Sequence, residues 1–251
     1  MSIATIILAA GQGKRMQSDL PKVLHEVGNA PMLAHVMATS RQIDAARCVI
    51  VVGHGGEQVT EVALDIDPEV QIAIQANQNG TGHAVAQATP ALAGFSGDAL
   101  VLYGDTPLIT PETIARMQAA RALGAQIVVL GFHNPPGAYG RLVCNADGGL
   151  EAIVEAKDAD AATYALTLCN SGVMLADAAL MAELVADLAP STVTGEVYLT
   201  DIVAAARTRA LPCAVVECDA AETEGVNSRA DLAKVEAAFQ ARARANALED
   251  G

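Results

Sequence analysis

The chain has 251 residues, is 52% hydrophobic and 3% aromatic, and carries a formal net charge of −14. That length buries a full core, either as one large α/β domain or as two small ones. So acidic a balance leaves no basic stripe to neutralise a polynucleotide backbone, which excludes a nucleic-acid partner and points to a small anion held by a few placed cations.

The apolar runs reach about eight residues, well short of the roughly 20 that span a bilayer, so neither a transmembrane helix nor a membrane role is expected. No positive region precedes the first run, as a signal peptide requires; the charges follow it, and a cytoplasmic protein is expected. Five cysteines, Cys48, Cys144, Cys169, Cys213 and Cys218, show no metal-ligand spacing and read as small buried hydrophobes. The five histidines are equally scattered.

In chain order, the first element is an apolar strand over 3–10, followed by the turn Gly11-Gln12-Gly13, the pair Lys14-Arg15 and then Leu20-Pro21-Lys22. Residues 1–25 hold three basic side chains and one acid, Asp19, for a local charge of +2 in an acidic chain. An anionic ligand belongs beside this glycine turn. Further strands are expected at 48–52, 70–74, 99–103 and 126–132, with amphipathic helices near 32–44, 57–65, 82–93 and 111–123. This alternation implies right-handed βαβ units and a mostly parallel sheet covered on both faces, with ligands beyond the carboxyl ends of its strands.

The second half is less regular. A hairpin with a glycine turn is expected across 139–155, then an apolar run over 165–175 broken by Asn170-Ser171-Gly172. Helices near 177–189 and 200–209 flank no further repeat; a strand at 213–217 and a last helix from about 228 to 247 complete the chain. The simplest architecture is one domain with an inserted ligand-side subregion.

The glycine turn fails two familiar phosphate motifs. Leu8 stands at the first glycine of a Walker A loop, and Met16 at the third glycine of a dinucleotide fingerprint. What remains is Leu-Ala-Ala-Gly-x-Gly-x-Arg-Met with Pro21-Lys22 downstream.

That pattern resembles the sugar-phosphate nucleotidyltransferases. Seven further landmarks extend the likeness in order over essentially the whole chain: Gln75 with Asn79-Gly80-Thr81-Gly82-His83; Leu102-Tyr103-Gly104-Asp105-Thr106-Pro107; Tyr139-Gly140-Arg141; Ile153 to Asp158; Asn170-Ser171-Gly172; Gly195 to Asp201; and Glu224-Gly225-Val226-Asn227. Together they resemble the uridylyltransferase domain of the bacterial bifunctional N-acetylglucosamine-1-phosphate uridylyltransferase/glucosamine-1-phosphate acetyltransferases.

The resemblance implies a Rossmann-like nucleotide-diphospho-sugar transferase fold: α/β, with a mostly parallel mixed sheet, helices on both faces and a small sugar-side β subregion. The transferase domain is expected over 1–227, with 228–251 as a linker-like C-terminal helix. The implied reaction joins UTP to N-acetylglucosamine 1-phosphate, giving UDP-N-acetylglucosamine, a cell-wall and lipopolysaccharide precursor, and pyrophosphate. Related enzymes use another base or sugar, and a non-catalytic sugar-nucleotide sensor would keep the same fold.

An ionised sugar phosphate is already a nucleophile, so such a transfer needs two polyanions brought together and their charge stabilised, not a general base. Ala10, Gly11 and Gly13 then offer backbone N–H groups to the nucleotide phosphates. Arg15 offers a planar fork to the β- and γ-phosphates. Lys22 is placed by the resemblance near the α-phosphate or incoming sugar phosphate; an isolated surface lysine would simply be solvated.

Asp105 ends an apolar strand and admits two readings, a turn or N-cap aspartate before Thr106-Pro107 or a ligand for the Mg²⁺ that accompanies a triphosphate. Asn227 is its implied partner ligand. Gln75, with donor and acceptor, matches the imide edge of uracil, while Gly80 and Thr81 close on base and ribose. On the sugar side the resemblance implies Gly104, Gly140, Glu155, Asn170 and Thr200, with Glu155 alternatively paired to Lys157. Tyr103 either flanks the sugar or only packs at its strand end.

Three departures stand out. Ser171 replaces the family's common threonine and keeps its hydroxyl. Val197 replaces a common aromatic residue, which leaves the sugar less secure than the reaction class. No hexapeptide periodicity is present, so neither acetyltransferase activity nor trimerisation through a β-helix is expected.

Overall fold

The computed structural model describes residues 2–249. Strand β1 (Ile3–Ala9) is buried along its whole length, as a seven-residue apolar run requires of a strand covered on both faces. Short 3₁₀ turns at Lys14–Met16 and Lys22–Leu24 lead into a two-stranded hairpin, β2 (Glu26–Val27) and β3 (Ala30–Pro31), and helix α1 (Met32–Gln42). The alternation continues through β4 (Arg47–Val52), α2 (Gly56–Ile66), β5 (Gln71–Ile74), α3 (Thr81–Ala88), β6 (Asp98–Tyr103), α4 (Pro111–Ala122) and β7 (Ile127–His133). All five strands expected in this half are present within a few residues. Helix α3 is shorter than its pattern suggests, passing into a 3₁₀ turn at Thr89–Leu92 where Pro90 lacks the N–H that would continue it.

The second half adds the hairpin β8 (Arg141–Cys144) and β9 (Leu150–Val154), then α5 (Ala161–Tyr164) and β10 (Leu168–Asp177). After α6 (Ala178–Ala186) and α7 (Asp201–Thr208) come β11 (Cys213–Cys218) and the long helix α8 (Arg229–Glu249). The main sheet runs β11-β7-β10-β6-β1-β4-β5. Parallel pairing joins β6, β1, β4 and β5, and also β11 and β7. Strand β10 is inserted antiparallel between β6 and β7.

The expected break at Asn170-Ser171-Gly172 is a register shift inside one continuous strand. Ser171 Oγ donates to the Leu130 carbonyl at 2.7 Å and accepts from Val173 N–H at 3.2 Å, so the hydroxyl supplies bonding that the bulge takes from the ladder. Two apolar clusters fill the two faces of the sheet, one centred on Ile6, Val51 and Met174, the other on Ile7, Ile50 and Leu175. Alternate residues of β1 point to opposite faces, so both clusters draw on it.

A third cluster forms around Met16, Val27, Met32, Leu108, Val226 and Val235, with Leu232 and Phe239 packed against it. It docks the first half of α8 beneath the 3₁₀ turn that carries Arg15. Burial pushes the Cys213 and Cys218 thiols up, to about 11 and about 12, which suits packing rather than reactivity.

Candidate active site

The carboxyl ends of β1, β5 and β6 open into a cavity of about 340 Å³. Ala10, Gly11, Lys22, Gln75, Gly80, Thr81, Tyr103 and Asp105 all line it. These eight lie far apart in sequence, and the parallel pairing gathers them at one sheet edge.

Gly13 is in the left-handed region, φ 58°, and a Cβ placed there would lie 2.7 Å from Lys22 Cβ. Glycine is needed both for the turn and for that approach. Arg15 follows in the 3₁₀ turn and stands exposed; neither it nor Gly13 lines the cavity.

Lys22 is held at 12% side-chain exposure, opposite Asp105 at 16%. Its ammonium pairs with Asp105 Oδ2 and also donates to Asn227 Oδ1 at 3.1 Å. The two oxygens assigned by resemblance to a cation therefore converge on one positively charged atom. Asp105 is not the N-cap of α4; Thr110 takes that place, accepting from Thr113 N–H. Asn227 is fixed from behind, its N–H donating to Asp231 Oδ2 at 3.1 Å, and Val226 N–H donates to the Asp105 carbonyl at 3.0 Å.

This donor set fits a hard divalent cation: a carboxylate and a neutral amide oxygen already share a cation, with the ammonium standing in for it. Among the described residues no group of three or more His, Cys, Asp or Glu side chains gathers to hold a metal. Phosphate oxygens and water would have to supply the remaining ligands, as Mg²⁺ prefers in nucleotide sites.

Gln75 is buried at 3% exposure, and its Nε2 donates both to the Gly80 carbonyl and to His83 Nδ1, each at 3.0 Å. These bonds spend its donor and leave Oε1 as its uncommitted atom. His83, in the first turn of α3, thus braces Gln75. Gly80 has φ 99° and lies against the backbone of Val197. Val197 N–H donates to the Asn79 carbonyl at 2.8 Å, Gly82 N–H to the Val197 carbonyl at 2.9 Å, and Leu199 N–H to Thr81 Oγ1 at 3.0 Å. Val197 packs its side chain on Gly82 and lines neither cavity, while its neighbours Glu196 and Tyr198 line the first.

A second cavity of about 410 Å³ includes Glu155, Lys157, Asp158, Tyr198, Thr200 and Asp201. Tyr198 lines both. Burial pushes the Glu155 carboxyl above its ordinary range, opposed by Lys157, and burial does the same to Asp201. Lys157 Nζ lies 5.8 Å from the Tyr198 ring centroid. Tyr103 is pushed well above the usual phenol range by burial and by Asp105, which keeps it a neutral hydroxyl.

Gly140, Asn170 and Gly104 line neither cavity. Asn170 N–H donates to the Gly140 carbonyl at 2.8 Å, and Gly104 N–H to the Leu8 carbonyl at 2.9 Å. The sequence assigns Glu196, Tyr198 and Asp201 no role, although the segment Gly195 to Asp201 points to their neighbourhood, and it gives Lys157 only that of an alternative partner of Glu155.

A glycine turn with two cations at the carboxyl edge of a largely parallel sheet defines a class: α/β proteins that grip phosphorylated ligands beyond their strand ends. Within it, the chain belongs to the MobA-like NTP transferase domain family, which it matches over residues 5–191. Among curated relatives, the bifunctional protein GlmU of Dinoroseobacter shibae is 57% identical over 252 residues, covering 100% of this chain and 56% of that protein. The GlmU protein of Paracoccus denitrificans is 54% identical over 250 residues, covering 99% of this chain and 55% of that protein. The chain thus spans about half the length of these relatives. A solved structure of UDP-glucose pyrophosphorylase complexed with UDP-glucose has a TM-score of 0.72 with 16% identity, over 96% of this chain and 100% of that one, a likeness in fold alone.

Proposed function

We propose that the protein transfers a uridylyl group from UTP to N-acetyl-α-D-glucosamine 1-phosphate, giving UDP-N-acetylglucosamine and pyrophosphate. The observation that carries this reading is the meeting of Lys22, Asp105 and Asn227 at the cavity mouth beside the glycine turn. Alignment of nearly the whole chain with about half of each of two GlmU proteins, at 54–57% identity, supports the same reaction.

In this reading a sugar-phosphate oxygen attacks the α-phosphorus, the bond from that phosphorus to the bridging oxygen breaks, and the pyrophosphate leaves in line. No proton has to move. The backbone N–H groups of residues 10–13 and the Arg15 fork hold the β- and γ-phosphates, and Lys22 screens the charge where the two anions meet. Gln75 presents Oε1 to the base, with Gly80 and Thr81 closing over it. Tyr103, Gly104, Gly140, Glu155, Asn170 and Thr200 receive the sugar.

Asp105 and Asn227 would hold Mg²⁺, which would supply Lewis-acid stabilisation of the transferring phosphate. The transferase domain covers 1–227, and α8 (Arg229–Glu249) braces it through the third apolar cluster; the last two residues of the helix expected over 228–251 lie outside the described residues. The protein works in the cytoplasm, without a nucleic-acid or membrane partner.

A pyrophosphate-release panel over four nucleoside triphosphates and several sugar 1-phosphates, with and without Mg²⁺, tests the reading. UTP with N-acetylglucosamine 1-phosphate and metal should give the highest kcat/KM. Preference for another triphosphate would remove the role of Gln75, and binding of a UDP-sugar without any turnover would leave a sensor.

A further inference from the structure

Arg141 is the largest fully buried side chain among the described residues, at 0% exposure, and no carboxylate pairs with it. Its Nε donates to the Tyr164 carbonyl at 3.2 Å and its Nη2 to the Gly137 carbonyl at 3.1 Å. Its Nη1 bonds the Tyr139 carbonyl and lies 3.7 Å from Cys169 Sγ, and the guanidinium carbon sits 5.1 Å from the Tyr164 ring centroid. Burying a cation without a counter-charge is unfavourable, and a Met or Leu would fill the volume without that cost. What an apolar residue lacks is the planar fork that draws carbonyls from two separate segments, 137–139 and Tyr164, to one point.

The strand register shows what this gathering holds. Arg141 lies opposite Val154 on β9 and opposite Cys169 on β10. One step along that row are Gly140, Glu155 and Asn170, three of the residues assigned to the sugar phosphate. Gly140 is bonded to Asn170 through its carbonyl, and a Cβ on it would lie 3.6 Å from Glu155 Oε1. Asn170 Oδ1 in turn accepts from Gly172 N–H at 2.9 Å, beside the Tyr103 ring. No bond of Arg141 reaches the glycine turn, Gln75 or Asp105.

We propose that Arg141 is the positioning residue of the sugar-phosphate subsite: its guanidinium fixes the backbone from Gly137 to Gly140 so that Gly140, Glu155 and Asn170 are preset for the sugar, independently of the nucleotide. This rests on the transferase reading above. The test compares wild type with Arg141→Lys and Arg141→Met, measuring KM for each substrate, kcat, and UTP affinity by equilibrium titration without sugar phosphate.

Loss of the fork should raise KM for N-acetylglucosamine 1-phosphate about 10-fold in Arg141→Lys and more in Arg141→Met, with UTP affinity within about two-fold of wild type. A purely structural role would reduce the active fraction, lowering kcat with both KM values unchanged; that result, or equal rises in both, overturns the proposal. Should neither variant fold, hydrogen exchange on wild type decides: the Arg141 Nε–H and the Asn170 amide should be protected without ligand. Rapid exchange that slows only when sugar phosphate is added would overturn it. Absence of wild-type turnover with this sugar phosphate would defeat the functional reading instead, whereas wild-type turnover with unmoved KM in the variants defeats the Arg141 proposal alone.

Discussion

The proposed nucleotide half of the site and the proposed sugar half are built by different means. The first is made of turns that directly follow parallel strands, where residues 10–13, Gln75 and Asp105 sit at strand ends that the fold aligns. The second is made of an antiparallel hairpin, a bulged strand and the 191–200 segment, held in place by the buried Arg141 and by backbone bonds to the Gly80 loop. Strand ends bring their turns with them, while the sugar half must be assembled from pieces whose neighbours are decided elsewhere in the chain. Specificity for the sugar should therefore be easier to alter than the grip on triphosphate.

The largest expected effect lies at the junction of the halves. Asp105→Asn keeps the shape and removes the charge, and kcat should fall about 10³-fold with UTP affinity within about five-fold, as read by pyrophosphate release and by titration. Equal losses in both would make Asp105 a binding group and blur the division. Lys22→Ala should lower kcat about 10²-fold, and tighten Mn²⁺ binding to the nucleotide-free protein because its ammonium no longer competes for Asp105 and Asn227. Paramagnetic resonance of free Mn²⁺ reads the second effect without turnover.

On the nucleotide side, Gly13→Ala meets both an unfavourable φ and Lys22 Cβ, so stability should fall by about 1–2 kcal/mol in thermal unfolding, with kcat reduced and sugar KM unchanged. Thr81→Val removes the acceptor for Leu199 N–H and should cost about 1 kcal/mol, loosening the tie between the Gly80 loop and the sugar-side segment.

The smallest effect is a pH dependence on the sugar side. The folded-state pKa of Glu155 is raised by burial above its ordinary 4.5, so the folded state holds that proton more tightly than the unfolded chain. Stability from this group is complete below the unfolded pKa and is lost as pH rises through the folded one. Glu155→Gln should therefore raise Tm relative to wild type at pH above the folded-state pKa and leave the difference small below the ordinary 4.5, while weakening the sugar. A Tm difference independent of pH would remove Glu155 as its source.

Much of the nucleotide half is legible along the chain. The apolar period marks β1, β4, β5, β6 and β7, and the glycine turn with its downstream Lys22 marks the phosphate end. The sugar half is less so: the run over 165–175 reads as interrupted, whereas Ser171 supplies the bonds that let β10 pass through as one bulged strand. Nothing in the spacing of Arg141 announces a buried cation, because its burial depends on β8, β9, β10 and α5 closing around it. Val197 reads as a pocket position from its motif, yet its backbone serves the Gly80 loop and its side chain faces Gly82.

The sequence by itself determined the alternation of strands and helices, the charge reversal in the first 25 residues and the glycine turn, because these depend on local periodicity and local backbone freedom. The tertiary structure alone decided that β10 runs antiparallel between β6 and β7, and that Lys22 meets Asp105 and Asn227, 83 and 205 residues away. Strand order and charge pairing are settled by burial and by hydrogen bonding between distant segments, and no local pattern encodes the partner.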